Sequence, residues 1–209
     1  DTLVGGQGND SLIGGAGIDT ADYTGSLPAR VYLGITGPQN TWQGADVLSG
    51  IENLLGGSGN DRFFGSTVGN VLNGGAGNDQ LYGGGGNDTL IGGDGGCWFL
   101  GEAGTDVMIG GVIGASADRF EFRAASDSRA GAPRDVIQNF DPDEDLILLK
   151  VDADVTRPGA QSFGTIAEGP AAHAVWSSVQ GGNTLIQGDV DGDAVAVVVQ
   201  AARADSDDD

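Results

Sequence analysis

The chain has 209 residues, 40 of them glycine, and its acids outnumber Lys plus Arg by 30 to 9, for a net charge of −21. That balance argues against nucleic acid, whose binding needs basic surface, and against anionic membranes, and favours a cation. A lone cysteine, Cys97, permits no intrachain disulfide and no thiolate zinc cluster, and no apolar run is long enough to span a membrane.

The opening Asp1-Thr2-Leu3-Val4-Gly5 reads as the tail of an earlier repeat and not as a signal peptide, so a fragment of a longer protein is expected. Residues 1–22 hold two copies of a nonapeptide G-G-x-G-x-D-x-U-x, with U a large apolar residue. Gly5-Gly6-Gln7-Gly8-Asn9-Asp10 opens the first copy and Gly14-Gly15-Ala16-Gly17-Ile18-Asp19 the second. Residues 23–55 break the period. Tyr23 to Leu33 and Val47 to Leu55 are apolar enough for strands, and Gly34 to Gly44 reads as a loop. The stretch from Asp46 to Gly56 alternates well enough for further coils without metal-binding turns.

Residues 56–111 are the main array. Complete copies start at Gly56 (with Gly57, Gly59 and Asp61), Gly74 (Gly75, Gly77, Asp79) and Gly83 (Gly84, Gly86, Asp88). The copy from Gly101 keeps Gly104 and Asp106. Two copies depart from the pattern. The one from Gly65 puts Asn70 at the acid position, where a neutral oxygen remains. The one from Gly92, with Gly93 and Asp94, puts Cys97 there. Cys97 is a poor ligand for a hard cation, so the site it would share with Asp79 should be weak or missing, with Asp94 as a partial substitute.

Residues 112–209 lose glycine and gain β-branched runs. Arg119–Phe122, Asp135–Gln138, Asp145–Leu149, Ala174–Trp176, Asn183–Gln187 and Ala194–Val199 read as strands of a β-rich cap. A solenoid needs such a cap because its last coil otherwise leaves an open sheet edge.

The repeat has a direct chemical reading. Glycines at its first, second and fourth positions permit backbone conformations that a Cβ forbids, so one turn can aim several carbonyl oxygens at a point, and the Asp adds a carboxylate. Oxygen donors in a flexible, carbonyl-rich turn favour Ca²⁺ over Mg²⁺. Several Ca²⁺ ions are expected, held by the glycines and acids named above. Asn70, Asp118 and the alternating acids Asp189, Asp191 and Asp193 are secondary candidates. The three residues after each acid form a short strand with one side chain inward. Leu12, Phe63, Leu72, Leu81, Leu90, Phe99 and Val107 are expected to share a thin core. Two nonapeptides make one coil of about eighteen residues, which puts Asp61 near Asp79 and Asp88 near Asp106. A solvated acidic linker is the competing reading, but a linker needs no fixed period. Stacked carboxylates repel, so folding should be coupled to metal binding.

The array over residues 56–111 resembles the β-roll of RTX proteins. Ala117–Phe122, Ser126–Ser128, Arg134–Phe140, Glu144–Leu149 and Gly181–Asp193 resemble the region that follows the roll in serralysin-type secreted proteins. The resemblance implies an all-β fold, a right-handed parallel β-roll with a β-rich cap. It also implies bacterial export by a type I machine and folding outside the cell on meeting calcium. The final Ala204-Asp205-Ser206-Asp207-Asp208-Asp209 departs from the acid-then-hydrophobic ending of that family. H-E-x-x-H is absent and His173 is the sole histidine, so no catalytic set is read here, although a parent protein could be an enzyme. A monomer is expected. Two other functions are weighed. One is a polysaccharide-binding accessory module like those of alginate epimerases, using Arg119, Arg123, Arg129 and Arg134. The other is an adhesin segment. Trp42, Trp98 and Trp176 could mark a carbohydrate surface, although core or cap packing is the expected role.

Overall fold

The computed structural model describes residues 1–112, 116–123, 127, 134–141, 144–149, 175–180, 183–188 and 195–201. The described secondary structure is β throughout. In chain order the strands are β1 (Thr2–Val4), β2 (Ser11–Ile13), β3 (Thr20–Asp22), β4 (Arg30–Tyr32), β5 (Gln39–Asn40), β6 (Ala45–Ser49), β7 (Asn53–Leu55), β8 (Arg62–Phe64), β9 (Val71–Ala76) and β10 (Gln80–Gly85). Then follow β11 (Thr89–Asp94), β12 (Trp98–Ala103), β13 (Val107–Ile109), β14 (Arg119–Phe122), β15 (Val136–Phe140), β16 (Leu146–Leu149), β17 (Val175–Gln180), β18 (Asn183–Gly188) and β19 (Val195–Ala201).

Successive strands of the array alternate between two sheets. The first sheet runs β1-β3-β7-β9-β11-β13-β15-β19-β18-β17 and the second β16-β14-β12-β10-β8-β4, with a small third sheet β2-β6-β5. Pairing is parallel from β1 to β19 in the first sheet and throughout the second; β18 and β17 add antiparallel. Residues of the array pair with residues eighteen positions on, as in Leu81 with Phe99 and Leu72 with Leu90. This is a parallel β-roll. The composition change after Gly111 interrupts neither ladder: β13 pairs with β15 and β12 with β14, both parallel.

The core is two facing rows with one side chain per strand. Ala21, Leu54, Leu72, Leu90, Met108 and Ile137 form one row; Val31, Phe63, Leu81, Phe99 and Phe120 form the other. All are buried, and Phe99 stacks on Phe120 with centroids 4.8 Å apart. The expected core holds with one correction. At the last copy the inward residue is Met108 and not Val107, because the apolar slot falls two residues after the acid and Val107 precedes it by one. One buried Leu contributes about 1.5–3 kcal/mol, no more than the ordering cost of two or three residues at about 1–2 kcal/mol each. A nine-residue rung therefore needs more than its core side chain.

Other expectations shift. Strands β9 to β12 each run six residues into the turn, because turn amides also reach the neighbouring coil, as in Ala76 N–H to Gly57 O at 2.7 Å and Gly85 N–H to Ser66 O at 2.8 Å. Within Tyr23–Leu33 only Arg30–Tyr32 is strand. The expected loop Gly34–Gly44 contains β5, which pairs antiparallel with β6. Its Gln39 side chain exchanges two hydrogen bonds with the Tyr32 backbone, a non-local clamp with no periodic signature. Trp42 is 48% exposed and so is not core packing.

Candidate metal centre

Each acid of the repeat sits at the end of a turn and its carboxylate folds back over the turn's first residue. A Cβ on Gly74, Gly83 or Gly101 would collide with the carboxylate of Asp79, Asp88 or Asp106 respectively. That contact, and not flexibility, explains the first glycine. The second and fourth glycines adopt left-handed backbone: Gly84 has φ 94° and Gly86 φ 100°, a region costly for residues with a Cβ. Their carbonyls face the next coil. A Cβ on Gly93 would collide with Gly75 O, and one on Gly104 with Gly86 O.

The acids form a ladder along the roll. Asp61 N–H donates to Asp79 Oδ1 at 2.7 Å, and Asp88 N–H donates to Asp106 Oδ1 at 2.8 Å, the neighbours expected from an eighteen-residue coil. Asn70 N–H donates to Asp88 Oδ1 and Cys97 N–H to Asp118 Oδ1, both at 2.8 Å. The ladder recruits acids outside the glycine-rich copies. Asp10 donates its N–H to Asp46, Asp19 to Glu52, Asp106 to Asp135 and Asp118 to Asp145. Asp46, Glu52, Asp135 and Asp145 were missed as ladder members in the sequence. Their signal was present: each stands two residues before an inward apolar residue, namely Leu48, Leu54, Ile137 and Ile147.

The turns are not equivalent. The left-handed pair recurs at Gly6 and Gly8, Gly15 and Gly17, Gly75 and Gly77, and Gly93 and Gly95. In the turn ending at Asp106, Glu102 occupies the second position with φ 66°, and Gly104 the fourth. The turn 56–61 carries a complete motif, yet neither Gly57 nor Gly59 is left-handed. The Gly25–Pro28 segment lies against it, with Ser58 N–H donating to Gly25 O at 2.7 Å. Asp61 there accepts from Ala29 N–H and Gly57 N–H, which occupies both oxygens. In turn 65–70, Asn70 accepts from Ser66 and donates to Glu52 O.

Two stacked pairs of left-handed turns follow, 74–79 on 92–97 and 83–88 on 101–106. The second carries two carboxylates, both essentially fully buried, and the Oδ2 atoms of Asp88 and Asp106 have no hydrogen-bond partner. Asp10 and Asp19 also hold buried, unpartnered Oδ2 atoms. The first pair has Asp79 opposite Cys97, whose Sγ lies 4.0 Å from Asp79 Oδ2. Asp94 is exposed and reaches the neighbouring turn through its carbonyl, which accepts from Gly77 N–H at 2.7 Å, so its carboxylate does not replace the missing acid. Asp118 is buried and accepts from Cys97 and Gly111. Asp189, Asp191, Asp193 and His173 lie outside the described residues.

Burial pushes the Asp79 and Asp88 carboxyls up to about 7 and Asp106 to about 6. The ladder amides of Asp61, Asn70 and Asp88 oppose the shift, and neighbouring acids add to it. Buried carboxylates without counter-charge are costly. A cation between the turns would supply the charge and fill the unpartnered oxygens together. Among the described residues no three His, Cys, Asp or Glu side chains converge as a metal cluster. The oxygens available between the turns are backbone carbonyls and one carboxylate per turn, the donor types that suit a hard cation.

Residues 1–21, 43–67 and 64–96 match the family described as RTX calcium-binding nonapeptide repeat (4 copies). No curated protein matches the chain. Among the described residues no helix is long and apolar enough to cross a membrane. The glycine turns, the acid ladder and the family match agree: this chain carries RTX calcium-binding repeats folded as a β-roll.

Proposed function

We propose that the chain is a non-catalytic, calcium-responsive folding module of a larger secreted protein, exported unfolded by a type I machine and ordered outside the cell. The carrying observation is the pair Asp88 and Asp106, buried beneath stacked left-handed turns with one oxygen each unpartnered. In this reading Gly84, Gly86, Asp88, Gly104 and Asp106 frame the strongest centre. Gly75, Gly77, Asp79 and Gly93 frame a weaker one, because Cys97 stands at its second acid position. Asp61, with both oxygens occupied, is structural. The turns of Asp10 and Asp19 stack on residues 43–46 and 50–52 and offer one carboxylate oxygen each.

Extracellular calcium modules bind with dissociation constants of about 10⁻⁴–10⁻³ M, so such sites are empty in the cytosol and filled outside. Filling one site at ten times its dissociation constant contributes roughly 1.4 kcal/mol, and several coupled sites set a switch. A calcium titration followed by far-ultraviolet circular dichroism, with magnesium as control, tests this. A cooperative gain of β signal with calcium alone is expected. A chain equally folded in chelator would sink the reading.

A further inference from the structure

The outer face of the second sheet is chemically unlike the rest of the chain. Phe63, Leu81, Phe99 and Phe120 point inward, so their neighbours along each strand point out. The register aligns Arg30, Arg62, Gln80, Trp98 and Arg119 in one row and Tyr32, Phe64 and Tyr82 in the next. Three of the chain's nine Lys and Arg residues thus share one row of a chain carrying −21.

Arg30 and Arg62 are direct cross-strand partners, and neither has a carboxylate partner among the described residues. Like charges opposite one another on adjacent strands are destabilising. Both are instead seated on rings. Arg30 lies 5.6 Å from the Tyr32 and Trp42 ring centres, and Arg62 lies 5.3 Å from Phe64 and 5.6 Å from Tyr82. The Nε atoms of both are buried without a hydrogen-bond partner. Tyr32, Phe64 and Tyr82 stack at 4.1 and 4.5 Å, which fixes the platform. Beside it a cleft of about 400 Å³ is lined by Arg62, Phe64, Tyr82, Glu102 and Arg123.

Trp42 completes the arrangement. It is half exposed and held at φ 68°, an outlier for a bulky residue. Its N–H donates to Asn40 Oδ1 at 3.0 Å within a turn closed by Thr41 N–H to Gly44 O. Backbone strain that keeps an indole in solvent is characteristic of ligand clamps. Arg62 Nη2 donates to Tyr82 Oη at 3.3 Å, and neither guanidinium meets a carboxylate among the described residues. An aromatic face beside two such groups matches a sugar ring that carries a carboxylate, since guanidinium binds carboxylate through paired hydrogen bonds. The chain's overall charge disfavours any long polyanion, so a short uronate oligosaccharide, which brings few charges to the face, is the fitting ligand.

We propose that this face, centred on Arg30, Arg62 and Trp42, binds a carboxylate-bearing glycan. The arginine pair holds the carboxylate and Trp42 packs on the ring. The proposal does not rest on the reading of the calcium centre, although Gly84 of that centre also lines the cleft beside the platform. The test uses the full chain at saturating calcium, titrated calorimetrically with hyaluronate and galacturonate oligosaccharides, a neutral chitin oligosaccharide and a short oligothymidylate. Binding to at least one uronate series is expected, weakened at least tenfold by Arg30→Gln, Arg62→Gln and Trp42→Ala. Arg62→Lys keeps the charge and should still lose affinity. Amide shifts on wild-type chain should cluster at residues 30–32, 40–44 and 62–64. Shifts confined to the glycine turns would overturn the proposal, because they mean chelation through calcium. So would equal binding of the neutral sugar or the oligothymidylate, or no uronate binding by a folded chain.

Discussion

Residues 23–55 and residues 74–106 occupy neighbouring rungs of one roll, yet satisfy their buried carboxylates in opposite ways. In the first, Asp46 is fully buried and fully bonded. It accepts from Asp10 N–H at 3.0 Å, Thr41 Oγ1 at 2.8 Å and Tyr23 Oη at 3.2 Å. In the second, glycine turns bring carbonyls close and leave Asp88 and Asp106 each with an unanswered oxygen. A coil can thus be closed by protein donors alone, at the cost of a specific set of side chains, or left open for a cation and made conditional on it. The family match covers most of 74–106 but only residues 43–55 of the first region.

The largest expected effect is on regional stability. With calcium chelated, amides of β10 to β12 should lose hydrogen-exchange protection by at least about a hundredfold, while those of β6 lose less. Equal loss in both regions, measured by exchange with mass spectrometry, would erase the contrast. Single substitutions sharpen it. Asp88→Ala should raise the calcium midpoint by about tenfold, equivalent to roughly 1.4 kcal/mol, and Asp61→Ala by less than about twofold, since backbone amides already hold Asp61. Comparable midpoints for the two variants would break the site assignment. Conversely Asp46→Ala removes the acceptor of the part-buried Asp10 amide and of the buried Tyr23 hydroxyl, and one of the two acceptors of Thr41 Oγ1. It should cost about 2–3 kcal/mol of stability in saturating calcium while leaving the titration midpoint nearly unchanged, as judged by thermal melts and calcium titration together.

The smallest and most diagnostic effect is the pH dependence. Asp79, Asp88, Asp106 and Asp135 have folded values raised to about 7, 7, 6 and 8, above the unfolded value near 3.9. Raised folded values mean that the folded chain binds more protons. In chelator that stability is therefore fully present below about pH 4 and is lost as pH rises through 6 to 8. Calcium needs the deprotonated oxygens, so its midpoint should rise as pH falls from 8 to 5, with protons released on binding. A midpoint flat across that range would show that Asp79, Asp88 and Asp106 are not the ligands.

Much of this was legible because the repeat couples chemistry to position. An acid two residues before each inward apolar residue fixed both the ladder and the core. The rule extends to Asp118, Asp135 and Asp145, where glycine is gone. Cys97 marked the turn in which a thiol faces Asp79 where the neighbouring pair has a second carboxylate. Illegible were the devices that depend on distant partners. The Gln39 clamp on Tyr32 gave β5 no periodic signal, and the Arg30–Arg62 pair joins a residue of the insertion to one of the main array.

The clearest limit is the motif Gly56-Gly57-Ser58-Gly59-Asn60-Asp61. By itself it is indistinguishable from the turn ending at Asp79, and the sequence alone determined the coil length, the inward side chains and the cation class from such motifs. Only the tertiary structure decided that the Gly25–Pro28 segment would pack on this copy, that the Ala29 and Gly57 amides would take up the Asp61 oxygens, and that its glycines would stay out of the left-handed region. Glycine permits a backbone conformation without enforcing it, so the neighbouring chain, and not the local sequence, selects which turns keep the geometry for an ion.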